Sequence, residues 1–304
     1  MKKYELTNET KTLADGTVLH RIRALRDIPR HGVKAGDLGG LIEKENNLSQ
    51  DGDAWVSDNA WVYGDAEVYD NAWVSVDAWV YGDAEVYGNA KVYGGACVYG
   101  GACVYGGACV YGGAWVSGDA KVYGGAEFYD NACVYDNACV YGNARISGDA
   151  KVSGDAWVSG DAWVSGDAWV SGDAEVFGNA RISGNAEISG NARISGNAEV
   201  SGNAEISGDA EVSGNARVYG DAEVSANSDY MVVKNIWSSG RWCTYTSSNK
   251  KWAVGCFYGT GEDLVAKAYK DSELSGRCYE AIVHAVETIE AAKAEAKGES
   301  NGSK

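Results

Sequence analysis

Ala54-Trp55-Val56-Ser57-Asp58-Asn59-Ala60-Trp61-Val62-Tyr63-Gly64-Asp65-Ala66-Glu67-Val68-Tyr69-Asp70-Asn71 is one six-residue phrase written three times. Ala recurs at every sixth position from Ala54 to Ala222 without a slip, 29 times in all. Two residues after each Ala stands Val or Ile, with Phe128 as the one Phe. The residue between them is Trp, Cys or charged, and the residue after the Val is Tyr or Ser, once Phe177. A Gly-Asp, Gly-Asn, Gly-Gly or Asp-Asn pair closes most hexads; Val76-Asp77 is an exception. Ala-X-Val-Y alternates inward and outward, the period-two mark of a strand. The closing pair tolerates positive φ or makes Asx-type turns, so the chain bends there. A short strand and a bend in every hexad suit a coil with three flat sides, three hexads to the turn. Like residues then stack on the turn above, ~4.7–4.9 Å away. The 29 hexads make nearly ten turns, a rod roughly 46 Å long by that spacing. Its interior holds columns of Val or Ile beside columns of Ala.

An aliphatic residue with a small residue four places later, as in Val56-Ser57-Asp58-Asn59-Ala60 and Val164-Ser165-Gly166-Asp167-Ala168, resembles the hexapeptide-repeat family of left-handed β-helices. The likeness covers residues 51–226. It implies an all-β solenoid, a left-handed triangular β-helix with three hexads in each coil; the handedness comes from the resemblance and not from the period.

A solenoid has open ends that need covering. Residues 1–50 read as a small N-terminal β cap and lead-in. Tyr4–Thr7 and Val18–Arg23 are the expected strands, with Ala14-Asp15-Gly16 as the turn. Arg26–Gly40, with the single proline Pro29, reads as irregular chain. Leu48 falls in the Ala register, one hexad before Ala54. Lys34-Ala35-Gly36-Asp37-Leu38-Gly39-Gly40-Leu41-Ile42-Glu43, followed by Asn47-Leu48-Ser49-Gln50, resembles the start of hexapeptide-repeat proteins of phages, prophages and YdcK-like bacterial proteins. Many of those have an aromatic at the place of Leu41. Residues 227–304 read as a C-terminal α+β domain. Strands are expected at Met231–Val233, Arg241–Thr246 and Trp252–Tyr258, and helices at Glu262–Tyr269 and Ser275–Lys293, with a frayed end from Lys297. Cys256-Phe257-Tyr258-Gly259-Thr260 resembles the C-terminal module of the same phage proteins.

The 304 residues are 45% hydrophobic and 23% charged, so disorder is not expected. Net charge is −17, and the rod itself, residues 51–226, carries 26 acidic against 7 basic groups. That disfavours direct nucleic-acid binding. The plain reading of the acidity is solubility and blocked edge association; the sharper one is imitation of duplex DNA. No apolar run fits a membrane span or a secretory signal, so the expected setting is cytoplasmic, the host cytoplasm for a phage protein, with the virion as alternative.

Adding 18 gives the columns. Tyr69, Tyr87, Tyr105, Tyr123 and Tyr141 form one, Trp55 stacks over Trp73, and Trp61 over Trp79. Stacking for stability explains them; so does a docking or sugar-stacking surface, and these nine residues are the candidate interaction surface, toward the N-terminal half. Cys97, Cys103 and Cys109 face three sides, and Cys97 and Cys133 lie two turns apart, too far for a disulfide. Cys243, Cys256 and Cys278 read as packing residues, with a redox pair among them as the alternative. Acyltransferases of similar fold rely on a histidine base, and γ-type carbonic anhydrases on three histidine ligands. Here His20, His31 and His284 all lie outside the rod. Stacked aspartates such as Asp65 over Asp83, and Asp155 over Asp173, read as solvated rather than cation-holding. The expectation is therefore a non-enzymatic structural and binding protein of phage or prophage type. It needs no metal or cofactor, engages a protein partner, and leaves homo-oligomerisation open. A DNA-mimic inhibitor and a virion or surface glycan binder are the rivals.

Overall fold

The computed structural model describes residues 2–301, and its 29 two-residue strands, Trp55–Val56 (β4) to Glu223–Val224 (β32), are the 29 hexads. Each pairs in parallel with the strand three hexads on, Trp61 with Trp79 and Val62 with Val80, for example. The strands sort into three faces. Face I carries Trp61, Trp79, Cys97, Trp115 and onward to Glu223; face II runs from Trp55 to Arg217; face III runs from Glu67 to Glu211. Every Ala of the repeat, and every Val, Ile or Phe two residues after it, is fully buried. The chain is a triangular β-helix, and burial of the aliphatic columns against the alanines drives it.

The corners need left-handed backbone. Gly160 has φ +70°, and a Cβ there would come within 2.9 Å of the backbone of Gly178 one coil on. Aspartate is the substitute where glycine is missing: Asp70, Asp130 and Asp136 have φ between 57° and 61°. Each offers its carboxylate to the amide of the next coil's glycine, Asp136 to Gly154 at 3.2 Å. That bond offsets part of the cost of the conformation.

Both ends are closed, mostly by side chains. Rung amides bond forward and carbonyls backward, so the first coil has orphan carbonyls and the last has orphan amides. At the start, Ala54 O accepts from Lys3 Nζ at 2.7 Å, Ala60 O from the Leu41 amide at 2.9 Å, and Ala66 O from Asn47 Nδ2 at 2.9 Å. At the finish, the amides of Glu211, Arg217 and Glu223, one per face, donate to Asn227 Oδ1, Thr244 Oγ1 and Ser248 Oγ at 2.6, 2.8 and 2.7 Å. Buried Lys3 and Asn47 are thus end caps, which satisfies the rule that buried backbone groups find partners.

The N-terminal hairpin, β1 (Tyr4–Thr12) and β2 (Val18–Ala24), and β3 (Leu38–Ile42) extend face I into a 13-stranded sheet. The stretch read as irregular therefore ends inside a strand, and Pro29–His31 forms one 3-10 turn. Gly39 is needed here, because a Cβ would strike Val56 O and the Trp55 ring at 2.5 and 2.7 Å. Leu48 does not take the Ala register. It pairs with Val68, as Ile42 pairs with Val62, and both steps overshoot the regular three hexads. Two extra residues in the bend before Trp55 absorb the difference.

Beyond the rod, β33 (Tyr230–Lys234), β34 (Trp242–Thr246), β35 (Lys251–Val254) and β36 (Phe257–Gly259) form an antiparallel sheet. The single strand expected over Trp252–Tyr258 is two. Gly255, at φ +60°, and Cys256 turn the chain between them, so Cys256 is exposed and not a packing residue. Helices α1 (Gly261–Asp271) and α2 (Glu273–Asn301) cover the sheet through Leu264, Ala268, Tyr279, Val283 and Val286. Ile289, expected on that apolar stripe, is exposed. Helix α2 runs through the expected frayed end to Asn301; residues 302–304 lie outside the described residues.

Candidate interaction surface

The nine candidate aromatics do not form one surface. Tyr69, Tyr87, Tyr105, Tyr123 and Tyr141 stack on face III at 4.8–5.0 Å, half-buried. The Tyr69 hydroxyl donates to Glu85 at 2.9 Å, and burial followed by that carboxylate drives its pKa upward. Rings whose faces are occupied by one another serve the rod itself. On face II the expected stack of Trp55 on Trp73 does not form. Trp55 is 1% exposed beneath the N-terminal cap. Trp73 stacks instead on His31, ring centroids 5.6 Å apart, and donates to Ser57 Oγ at 3.0 Å. The cap and its two close-packed glycines cover what column arithmetic alone leaves open.

Face I is different. Trp61 and Trp79 stack at 5.0 Å, nearly parallel, and the Lys11 ammonium from β1 lies 4.0 Å from the Trp61 centroid. Such a cation–π contact holds the ring in place. The next rung is Cys97 and the one after is Trp115, so a gap one ring wide opens between Trp79 and Trp115. A groove of about 760 Å³ results, walled by Lys11 and Leu41 at one end and Trp115 at the other. Trp79 is 40% and Trp115 51% exposed. Trp115 lies outside the nine candidates, although adding 36 to Trp79 reaches it. Burial raises the Cys97 pKa, so the groove floor is a neutral thiol and not an activated nucleophile. Asp77 of the irregular Val76-Asp77 corner borders this groove; both residues have positive φ, 45° and 54°.

Part of the rod's other charge is partnered. Asn137 donates to Asp155 and Asn143 to Asp161 across successive coils at 2.9 and 3.0 Å. Glu127 pairs with Arg145, Glu175 with Arg193 and Glu199 with Arg217. Asp65 pairs with Lys44. Among the described residues no group of three metal-ligating side chains converges, and no helix is long and apolar enough to cross a membrane. His20 lies on β2, His31 in the cap turn and His284 on α2. All eight cysteines are free thiols, with Cys97, Cys103 and Cys109 on three faces.

A family model described as a YdcK beta solenoid repeat matches residues 144–160, about one coil. With the stacked coils, that makes the chain a β-solenoid repeat protein. No curated protein matches the chain.

Proposed function

We propose that the protein is a non-enzymatic binding scaffold, a hexapeptide-repeat rod of phage or prophage origin that engages a protein partner. The observation that supports this is the groove on face I: exposed Trp79 and Trp115 with a cation at one end, on a rod whose tyrosine columns are self-stacked. Exposed aromatic patches of this kind mark contacts, and tryptophan is favoured at their energetic centres. The acidic corners keep so regular a β-protein soluble and steer the encounter. The C-terminal region offers a second contact area around Ile236, 87% exposed, and Trp242. The test is affinity capture with full-length variants, since residues 227–304 also cap the last coil. Trp79→Lys with Trp115→Lys, and separately Ile236→Lys with Trp242→Lys, are compared with the parent chain. A protein retained by the parent and lost with one pair supports the reading. Retention unchanged by both pairs, or acyl transfer abolished by a rod substitution, removes it.

A further inference from the structure

The outward column of face I runs Leu41, Trp61, Trp79, Cys97, Trp115, Cys133, Lys151, Trp169, then Glu187, Glu205 and Glu223. Three features of it have no account within one chain. Large and small residues alternate from Trp79 to Cys133. Its exposed tryptophans are Trp79 and Trp115, which flank the Cys97 rung, and Trp169 three rungs further on. The last three rungs stack glutamates directly on one another, and among the described residues none of the three is in an ion pair; Glu67 stacks on Glu85 in the same way on face III, whereas Glu127, Glu175 and Glu199 pair with arginines. Like charges in adjacent rungs are unfavourable.

We propose that face I is the contact between two copies of this chain, packed antiparallel about a two-fold axis that passes between the Cys97 and Trp115 rungs. The inference rests on face I being a contact surface and names its occupant. In that register every large residue from Trp79 to Cys133 meets a small one. Trp115 of each copy enters the other's gap over Cys97, and Trp79 of each meets the other's Cys133. Further out, Lys151 falls opposite the Trp61 rung of the second copy. Trp169 comes against Leu41 of the second copy, and Glu187 against Arg21, which is already paired with Glu9 at 2.6 Å. Shift the register by one rung and Trp115 faces Trp115 across the axis, with Cys97 facing Cys133 on either side.

Geometry permits this. Facing sheets pack ~10 Å apart, which a Trp opposite a Cys fills and two opposed Trp residues overfill. Ordinary sheets rotate by roughly 20–25° per strand, but the rings stacked on the rungs from Trp61 to Cys97 are within 4° of parallel, so that part of the face is close to flat. From the Arg21 rung to the Glu187 rung is roughly 43 Å, and four extended residues span about 14 Å across. That is ~600 Å² per copy and ~1,200 Å² in all, the lower bound for a stable interface.

The test is mass by sedimentation or light scattering on the full chain at micromolar concentration. The expected result is twice the 32.1 kDa chain mass. Trp115→Lys should weaken pairing at least ~tenfold, whereas Trp157→Lys, equally exposed but on face III, should leave it unchanged. Cys97→Trp, which fills the gap that receives Trp115 of the second copy, should weaken it likewise. A monomer, a threefold mass, or pairing unchanged by Cys97→Trp overturns the proposal. If the chain is monomeric yet Trp115→Lys still abolishes capture of another protein, the contact surface stands and the second copy does not occupy it.

Discussion

Val76→Gly should make the rod more stable. Val76 sits at a corner with φ 45°, where its Cβ crowds the following carbonyl. That conformation costs an L-residue ~1–2 kcal/mol, and a β-branched side chain lies at the upper end. Glycine removes the crowding but returns ~0.5–1 kcal/mol through the freedom of its unfolded chain. Val76 is 49% exposed, so little burial is lost, and the balance is a gain of about 1 kcal/mol. The reverse change at the next corner, Gly82→Val, should cost at least ~2 kcal/mol. There φ is +72° and the new Cβ would lie 3.0 Å from the Gly100 amide nitrogen. A solenoid opens locally, because each coil touches only its neighbours. The assay is therefore hydrogen exchange at amides that flank the corner, those of Trp61 and Trp79, which bond to Ala78 O and Ala96 O. A gain of that size should slow their exchange about fivefold. Faster exchange in Val76→Gly, or no change in Gly82→Val, would refute the claim that corner conformation limits local stability. Strain beside a groove also fits the tendency of contact sites to hold unusual backbone.

Alkaline stability should rise and then fall. Burial holds Lys3 down at about 8, so between about pH 8 and 10.5 the unfolded chain binds more protons and stability grows with pH. Above about pH 10 the sign reverses, because Tyr81 is pushed up to about 12 by burial and unfolded phenols ionise first. Urea midpoints across that range check both limbs, and Lys3→Met should erase the rise alone. On the acid side, burial lowers the His31 pKa. Stability should thus drop as pH falls through 6.5, the ordinary imidazole value, and His31→Phe, which keeps a ring on Trp73, should flatten that drop. Thr244→Val orphans the Arg217 amide; hydrogen exchange should show the last coil loosened by about 1–3 kcal/mol and the central coils untouched.

Repetition makes the rod legible. Ala and Val at fixed spacing fix the inward direction, and a strict period fixes which residues meet, so Tyr69 over Tyr87 follows from arithmetic. The ends are less so, because each cap is a single long-range bond. Nothing in Met1-Lys2-Lys3 says that Lys3 reaches Ala54, nor in Thr244 that it receives Arg217. Leu48 misleads for a related reason: two extra residues in one bend shift the register, and Leu alone does not say which column it fills. Column arithmetic gives neighbours but not covers. It pairs Trp55 with Trp73, whereas the cap buries the first and turns the second onto His31. Trp115 is reachable by the same arithmetic but escapes a search for unbroken aromatic runs, because Cys97 interrupts this one. That interruption is what makes the groove.

Spin-label distances along face II test the winding itself. Lys91, Arg145 and Arg181 are exposed on that face, and labels attached through ketone-bearing residues leave the native thiols alone. Three coils separate the first pair and five separate Lys91 from Arg181, so the distances should be ~14 and ~24 Å, and their difference ~10 Å whatever the label length. A difference far from that value, or a broad spread in either distance, would contradict a coil that closes every three hexads.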